Sequence, residues 1–336
     1  MSHRFIIDLR EGDTLKQFFL LRRVESRRTR EGKPYLDLVL ADRSGTIKGK
    51  AWEEALLKCS GPLAECNFVA VTGEVKAYQR APQVTLDFID TVDRLRAKGR
   101  PLQDFDPELL IPATLYNREE MWQDLLELIE AHIRPPLHDL VLAVLLKYQT
   151  QFLEWPGAEF VHHAYFGGLL EHTWSVVRHA LRSVEVYPDL KADLVLAGAI
   201  LHDVGKIKEL ADPNCPKRSI PGGLLGHIVL GWDMVREEAR AMDFPDDQLL
   251  MELEHIIIAH HGFEEFGSPV LPKTPEAFLV YYLDDLDSKL HMAHRHLETD
   301  ASEGDFTSYH RLLGRRLYRP TAPPEEDPEN SPPDDY

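Results

Sequence analysis

The chain has 336 residues, 43% of them hydrophobic, a length that points to two domains that each bury a core. No apolar run reaches 18 residues, the richest stretch at 190–201 being broken by Lys191 and Asp193, and residues 1–10 lack the apolar block of a secretory signal. Neither a membrane span nor a leader is expected. The formal net charge of −18 argues against a nucleic-acid partner only if it is evenly spread; the first 100 residues hold 19 Lys and Arg against 14 Asp and Glu, so that part is basic.

The first ninety or so residues read as β structure. Strand-like runs at 35–40, 47–52, 68–75 and 84–92 are separated by turn signals at 30–34, 42–45 and 80–82. With a small helix at 53–58, four or five such strands have the size of a five-stranded Greek-key barrel, the OB-fold. This barrel is placed at residues 1–95. A charged connection containing Pro101, Pro107 and Pro112 follows at 96–117 as a linker. From 118 to 318 the pattern is helical: Met121, Leu125, Leu128 and Ile129 mark 118–133, and segments at 137–152, 168–184, 190–202, 225–240, 248–260 and 275–296 follow. The acidic, Pro-rich tail at 319–336 has almost nothing to bury and is expected to be disordered. The fold class is multidomain, α and β: a five-stranded OB-fold barrel followed by an all-α domain. Cys59, Cys66 and Cys215 fit no C-x-x-C pattern and read as inert thiols of a reducing cytoplasm.

The strongest chemical signal is Leu201-His202-Asp203-Val204-Gly205-Lys206. It ends a run apolar on nearly every face, so that helix is expected to be buried. A carboxylate at its end is costly without a partner, and a bound cation resolves the cost. On a helix Lys206 lies four residues after His202 and three after Asp203, close enough to share their face and to suit an anionic phosphate beside the cation. Further donors stand in order along the chain: His172, His227, the pair His260 and His261, and Asp284. Taken singly, each has a structural explanation as a cap, a packed imidazole or an ion-pair partner. His3, His132, His138, His179, His291, His294, His296 and His310 are read as surface or packing residues. Mixed His and Asp donors suit a divalent metal, Mn²⁺ first, with Fe²⁺, Zn²⁺ or Mg²⁺ as alternatives.

In that order, from about 160 to 291, the sequence resembles the HD superfamily of metal-dependent phosphohydrolases. With the barrel in front, it is similar to the YhaM-type 3′→5′ exoribonucleases. The matching stretches are His162-His163-Ala164-Tyr165-Phe166-Gly167-Gly168-Leu169-Leu170-Glu171-His172-Thr173, the motif from His202 to Lys206, Gly226-His227-Ile228, the run from His260-His261-Gly262 to Pro269, and Asp284-Asp285-Leu286-Asp287-Ser288-Lys289. The resemblance implies that the helical part is an all-α HD domain in which His172, His202, Asp203 and Asp284 hold a first metal. Asp203 would bridge to a second, with His227, His260 and His261 as its ligands; one ion or two stays open. Lys206, Asp203 and His227 would carry the catalytic work, and His163 would contact phosphate or support the ligands. The choice of Asp284 over Asp285 and Asp287 rests on the family's spacing. The implied reaction is hydrolysis of a phosphodiester by metal-activated water.

The barrel narrows the substrate, because single-stranded nucleic acid needs cations for its backbone and aromatic faces for its bases. Arg22, Arg23, Arg27, Arg28, Arg30 and Lys33 are read as one basic turn, followed by Tyr35; Lys48 and Lys50 lead to Trp52; Lys76, Tyr78 and Arg80 recur at spacing two, on one strand face. Phe18 or Phe19 and Trp52 are assigned to the core, and Tyr78 is the expected stacker. Arg28, Lys33, Tyr35, Lys50, Lys76, Tyr78 and Arg80 make up the expected nucleic-acid interface. The reading is a cytoplasmic 3′→5′ exonuclease acting on single-stranded RNA or DNA, with no membrane partner and homo-oligomerisation left open. The alternatives are a nucleotide or cyclic-nucleotide phosphohydrolase with a regulatory barrel, and a nucleic-acid adaptor without turnover.

Overall fold

Five strands close on themselves at the N-terminal end of the chain. In the computed structural model, which describes residues 3–29, 31–78, 81–159, 163–214, 216–300 and 302–319, these are β1 (Thr14–Arg28), β2 (Pro34–Asp42), β3 (Gly45–Ala51), β4 (Phe68–Tyr78) and β5 (Ala81–Thr91). They run in the order β1-β2-β3-β5-β4 around a closed barrel, with β3 and β5 parallel and the other pairs antiparallel. This is the OB-fold topology. Alternation fills the interior: Leu38, Leu40, Ile47, Val69, Val71, Val75, Val84 and Leu86 point inward.

The expected basic turn is corrected. Arg22, Arg23, Arg27 and Arg28 lie on β1, and of the described members only Lys33 sits in the turn, which Thr29 N–H closes onto the Lys33 carbonyl at 2.9 Å. The strand escaped a period-two reading because it changes partners midway. Residues 14–20 pair with β4 and 20–28 with β2, with a bulge between Leu21 and Arg23. Phe19, Leu20 and Leu21 are consequently buried in succession, which breaks the alternation. Trp52 is likewise corrected: it follows inward-facing Ala51, so the pleat turns it outward, and it is 41% exposed. Arg30, Arg80, Cys215 and the tail from 320 onward lie outside the described residues. Cys66 is disulfide-bonded and Cys59 is a free thiol, so the expectation of three inert thiols fails at Cys66; linear spacing does not report which sulfurs meet in space.

Short helices α1 (Glu53–Leu56) and α2 (Val92–Ala97) flank β4 and β5, and the rest of the chain is helical. The helices are α3 (Arg118–His132), α4 (Leu137–Lys147), α5 (Gln149–Glu154), α6 (Gly168–Val186), α7 (Ala192–Leu201), α8 (Lys206–Glu209), α9 (Ile220–Ala241), α10 (Asp247–Ala259) and α11 (Pro275–Thr299). The helix expected at 137–152 is two, broken at Tyr148, whose backbone leaves the helical region. Helix starts carry side-chain caps: Asn117 accepts from Glu119 and Glu120 N–H, Ser219 from Gly222 N–H, and Asp246 from Gln248 and Leu249 N–H. Every residue of α7 from Leu194 to Leu201 is buried, and α3, α4, α6 and α10 pack around it. That is why a helix with no polar face is stable here. By compactness Met1–Asp287 forms one unit and Ser288 onward a second.

Candidate active site

The ends of two buried helices set the chemistry. His202 is the C-cap of α7 and His260 the C-cap of α10. Each ring turns its Nδ1 to the carbonyl three residues back, Ala199 at 2.9 Å and Ile257 at 2.7 Å. Those last-turn carbonyls have no partner within the helix, so they fix Nδ1 as the donor and leave the Nε2 lone pair pointing onward. His261 does the same with the Phe266 carbonyl at 2.7 Å. His172, on the first turns of α6, places Nδ1 2.7 Å from Asp287 Oδ2, and His227 on α9 places Nδ1 3.2 Å from Glu209 Oε2.

Around these imidazoles the donors converge in two groups. His172 Nε2 lies 3.2 Å from His202 Nε2, 3.4 Å from Asp203 Oδ2 and 3.2 Å from Asp284 Oδ1; His202 Nε2 is 3.4 Å from the same Asp203 oxygen. The other oxygen of Asp203 faces His227 Nε2 at 3.4 Å and His260 Nε2 at 3.6 Å. His227, His260 and His261 themselves offer nitrogens within 4.8 Å of one another. Asp203 Oδ1, His227 Nε2 and His260 Nε2 are buried without a hydrogen-bond partner. All three are lone-pair atoms in the tautomers just described, so they cannot satisfy one another, whereas a divalent cation would satisfy all of them. The residues fit a metal.

The carboxylates and imidazoles also shift one another's titration. Burial alone would raise Asp203, but the Lys206 ammonium, ion-paired to Oδ2, and the His202 ring outweigh it and hold the carboxyl well below its usual range. Burial likewise fails to neutralise Asp284 and Asp287, which His172 and, for Asp287, His163 hold low. Burial would lower His172, yet Asp284 and Asp287 raise it to about 9. The second group behaves oppositely: burial keeps His227 and His260 below the ordinary imidazole value, and burial together with His260 takes His261 to about 4.

Residues 169–289 match the HD domain family, and residues 23–92 match the OB-fold nucleic acid binding domain family. The 3′-5′ exoribonuclease YhaM of Geobacillus sp. (strain WCH70) is 31% identical over 316 residues, 94% of either chain. That of Bacillus subtilis (strain 168) is 32% identical over 311 residues, 92% of this chain and 96% of the relative. That of Listeria welshimeri is 30% identical over 324 residues, 94% and 98%. This chain belongs to the YhaM exoribonuclease family.

In this YhaM family member the sequence-expected donors His172, His202, Asp203, His227, His260, His261 and Asp284 all meet in space, with Lys206 against Asp203. Of the three clustered acids, Asp284 faces the donors, Asp287 lies one helical turn on and backs His172, and Asp285 is partly exposed. His163 stands behind them: its Nε2 is 3.0 Å from Asp287 Oδ2 and its Nδ1 2.9 Å from the Tyr165 hydroxyl. Sequence reasoning missed Glu209 and Ser175, whose hydroxyl donates to Asp287. A buried acid three residues after Lys206, on the same short helix, was the available signal for Glu209.

On the barrel, the rings of Tyr35, Trp52 and Tyr78 surround one cation. Lys50 Nζ lies 5.4, 5.5 and 5.2 Å from their centroids, and Tyr35 and Trp52 are 5.0 Å apart. Trp52 and Tyr78 are 41% and 52% exposed. Strand alternation accounts for this, because Lys50 lies on the outer face of β3, Trp52 follows two residues on with its backbone still extended, and Tyr35 joins them from β2. The other expected contacts are not part of this cluster. Arg28 donates to the Gly32 carbonyl at 3.0 Å within its own turn, Lys33 is exposed in that turn, and Lys76 pairs with Glu74 at 3.2 Å.

Proposed function

We propose that this chain shortens RNA from the 3′ end by metal-dependent phosphodiester hydrolysis, with residues 118–318 carrying the chemistry and residues 1–95 holding the strand. One observation supports it most: Asp203 stands between two imidazole-rich groups with one oxygen toward each. The direction and the RNA substrate come from the relatives, which bear the name 3′-5′ exoribonuclease. His172, His202, Asp203 and Asp284 would hold one divalent cation; His227, His260 and His261, with the second oxygen of Asp203, would hold another. When bound, such a cation lowers the pKa of a water molecule and polarises a phosphoryl oxygen. Mn²⁺ suits the mixture of imidazole and carboxylate best. Lys206 steadies Asp203 between the groups and adds positive charge where the phosphate stands. The proposed compartment is the cytoplasm; no helix among the described residues is long and apolar enough to cross a membrane. The decisive experiment incubates 5′-labelled RNA and DNA oligomers with Mn²⁺. A ladder shortening from the 3′ end supports the reading, whereas hydrolysis of free nucleotides with oligomers left intact favours the nucleotidase alternative.

Asp287 touches no substrate in this reading; it positions His172. Asp287→Asn keeps the size and one oxygen acceptor but loses the anion that holds the ring, and such supports are worth about 10–100-fold in metal affinity. Calorimetric Mn²⁺ titration of the otherwise folded variant should show a loss of that order, and unchanged affinity would remove Asp287 from this role.

The aromatic cluster gives the barrel a stacking platform. Trp52→Ala and Tyr78→Ala should each weaken single-stranded RNA binding by about 1–3 kcal/mol, the worth of one base–aromatic stack. Fluorescence anisotropy in EDTA reads this without turnover, and affinity should fall as salt rises. Wild-type binding in both variants would take the strand off this face.

A further inference from the structure

On another side of the barrel β1, β4 and β5 lie next to one another. Their register sets Lys16 beside Thr72 and Phe18 beside Ala70, then Thr72 beside Phe88 and Ala70 beside Asp90. The small side chains at 70 and 72 leave the middle of this outer face low, and residues 95–104 wall one side. The result is a hollow of about 690 Å³. Sites for small molecules have this size, roughly 300–1,000 Å³.

Its rim is basic. Lys16, Lys58, Lys98 and Arg100 line it, against the two acids Asp90 and Asp104. Asp90 is already engaged by Arg94 at 3.0 Å and Lys98 at 3.5 Å. Lys58 donates to the Asp87 carbonyl at 3.0 Å, while Lys16 and Arg100 pair with no carboxylate among the described residues. Phe18 and Phe88, both half-buried, contribute aromatic surface beside those cations. None of these residues belongs to the Lys50 platform or to the helical site.

We infer that this hollow binds a nucleoside phosphate, its base against Phe88 and its phosphate among Lys16, Lys98 and Arg100. Cations and an aromatic face lining one hollow suit a single nucleotide, and the wall at 95–104 favours a compact ligand over a strand that must run through. The inference does not need the nuclease reading, since binding is measured without metal and without turnover.

Calorimetric titration of the metal-free full chain with adenosine 5′-monophosphate should reveal one saturable site. Reversing two exposed charges in Lys16→Glu/Arg100→Glu should weaken it at least about tenfold, a change of 1.4 kcal/mol. Ala70→Leu, which fills the hollow from an outward position, should do the same, with thermal melts confirming that both variants are folded. No saturable heat at millimolar nucleotide, or wild-type affinity in both variants, overturns the inference. So does weakened binding of a five-residue oligoadenylate with the mononucleotide unaffected, which would make the hollow part of the strand path.

Discussion

Asp203→Ala is expected to abolish RNA shortening, with a rate loss of at least about 10³-fold. The magnitude follows from the double use of one side chain. Oδ2 lies 3.4 Å from both His172 and His202, and Oδ1 lies 3.4 and 3.6 Å from His227 and His260. Truncation removes a donor from both groups together. It also strands Lys206, which is 6% exposed and ion-paired to the lost carboxylate. Leaving such a charge buried and alone costs about 3–5 kcal/mol, so the alanine variant should melt at a lower temperature as well. Asp203→Asn separates the two effects: it retains the volume and an oxygen acceptor toward Lys206 while losing the anion. The asparagine variant should therefore fold, bind Mn²⁺ poorly and remain inactive. Wild-type shortening by a folded Asp203→Asn protein would remove this carboxylate from the mechanism, and the proposed site with it.

How far the sequence could be read depended on whether the relevant neighbours were close along the chain. The apolar run ending in His202 and Asp203 is local, and the buried helix α7 follows from it directly. The ordered donors could be gathered because each sits at the end or on one face of a segment that reads as helix. Glu209 could not be read in the same way, because its role exists only through His227, which α9 brings back against it. Asp287 and Asp284 are one turn apart on the same helix face, and which of them meets His172 Nε2 is decided by the packing of α11, not by composition. In the barrel the limit was register. Trp52 suggests a core residue by type, but the pleat that buries Ala51 turns its neighbour outward. Strand β1 defeated pattern reading for a related reason: a strand that serves two partners across a bulge does not keep one inward face.

Gly205→Ala is expected to be the most damaging change outside the donors themselves, and it tests how the helices hold the site. Gly205 has ordinary right-handed helical dihedrals, φ −63° and ψ −18°, so alanine meets no backbone objection. On conformational entropy alone the change would stabilise by about 0.4–1 kcal/mol. The obstacle is steric. A Cβ there would lie 1.9 Å from the His227 carbonyl oxygen and 2.4 Å from Gly231 N, all of it backbone of α9. No rotamer can yield, so α9 must retreat from the turn that bears Asp203. Overpacking of this kind costs about 1–3 kcal/mol or more, and because α9 carries His227 the retreat moves that imidazole away from Asp203 Oδ1. Misplacing such a group by about 1 Å can cost on the order of 10²-fold in rate. The variant should thus lose both melting temperature and activity. Gly223→Ala, on the first turn of α9 ahead of the kink at Gly226 and with nothing within 4 Å of the added carbon, should lose neither. Equal melts and equal RNA shortening for the two alanine variants would mean that the close approach of α9 to the His-Asp turn does not hold the site together.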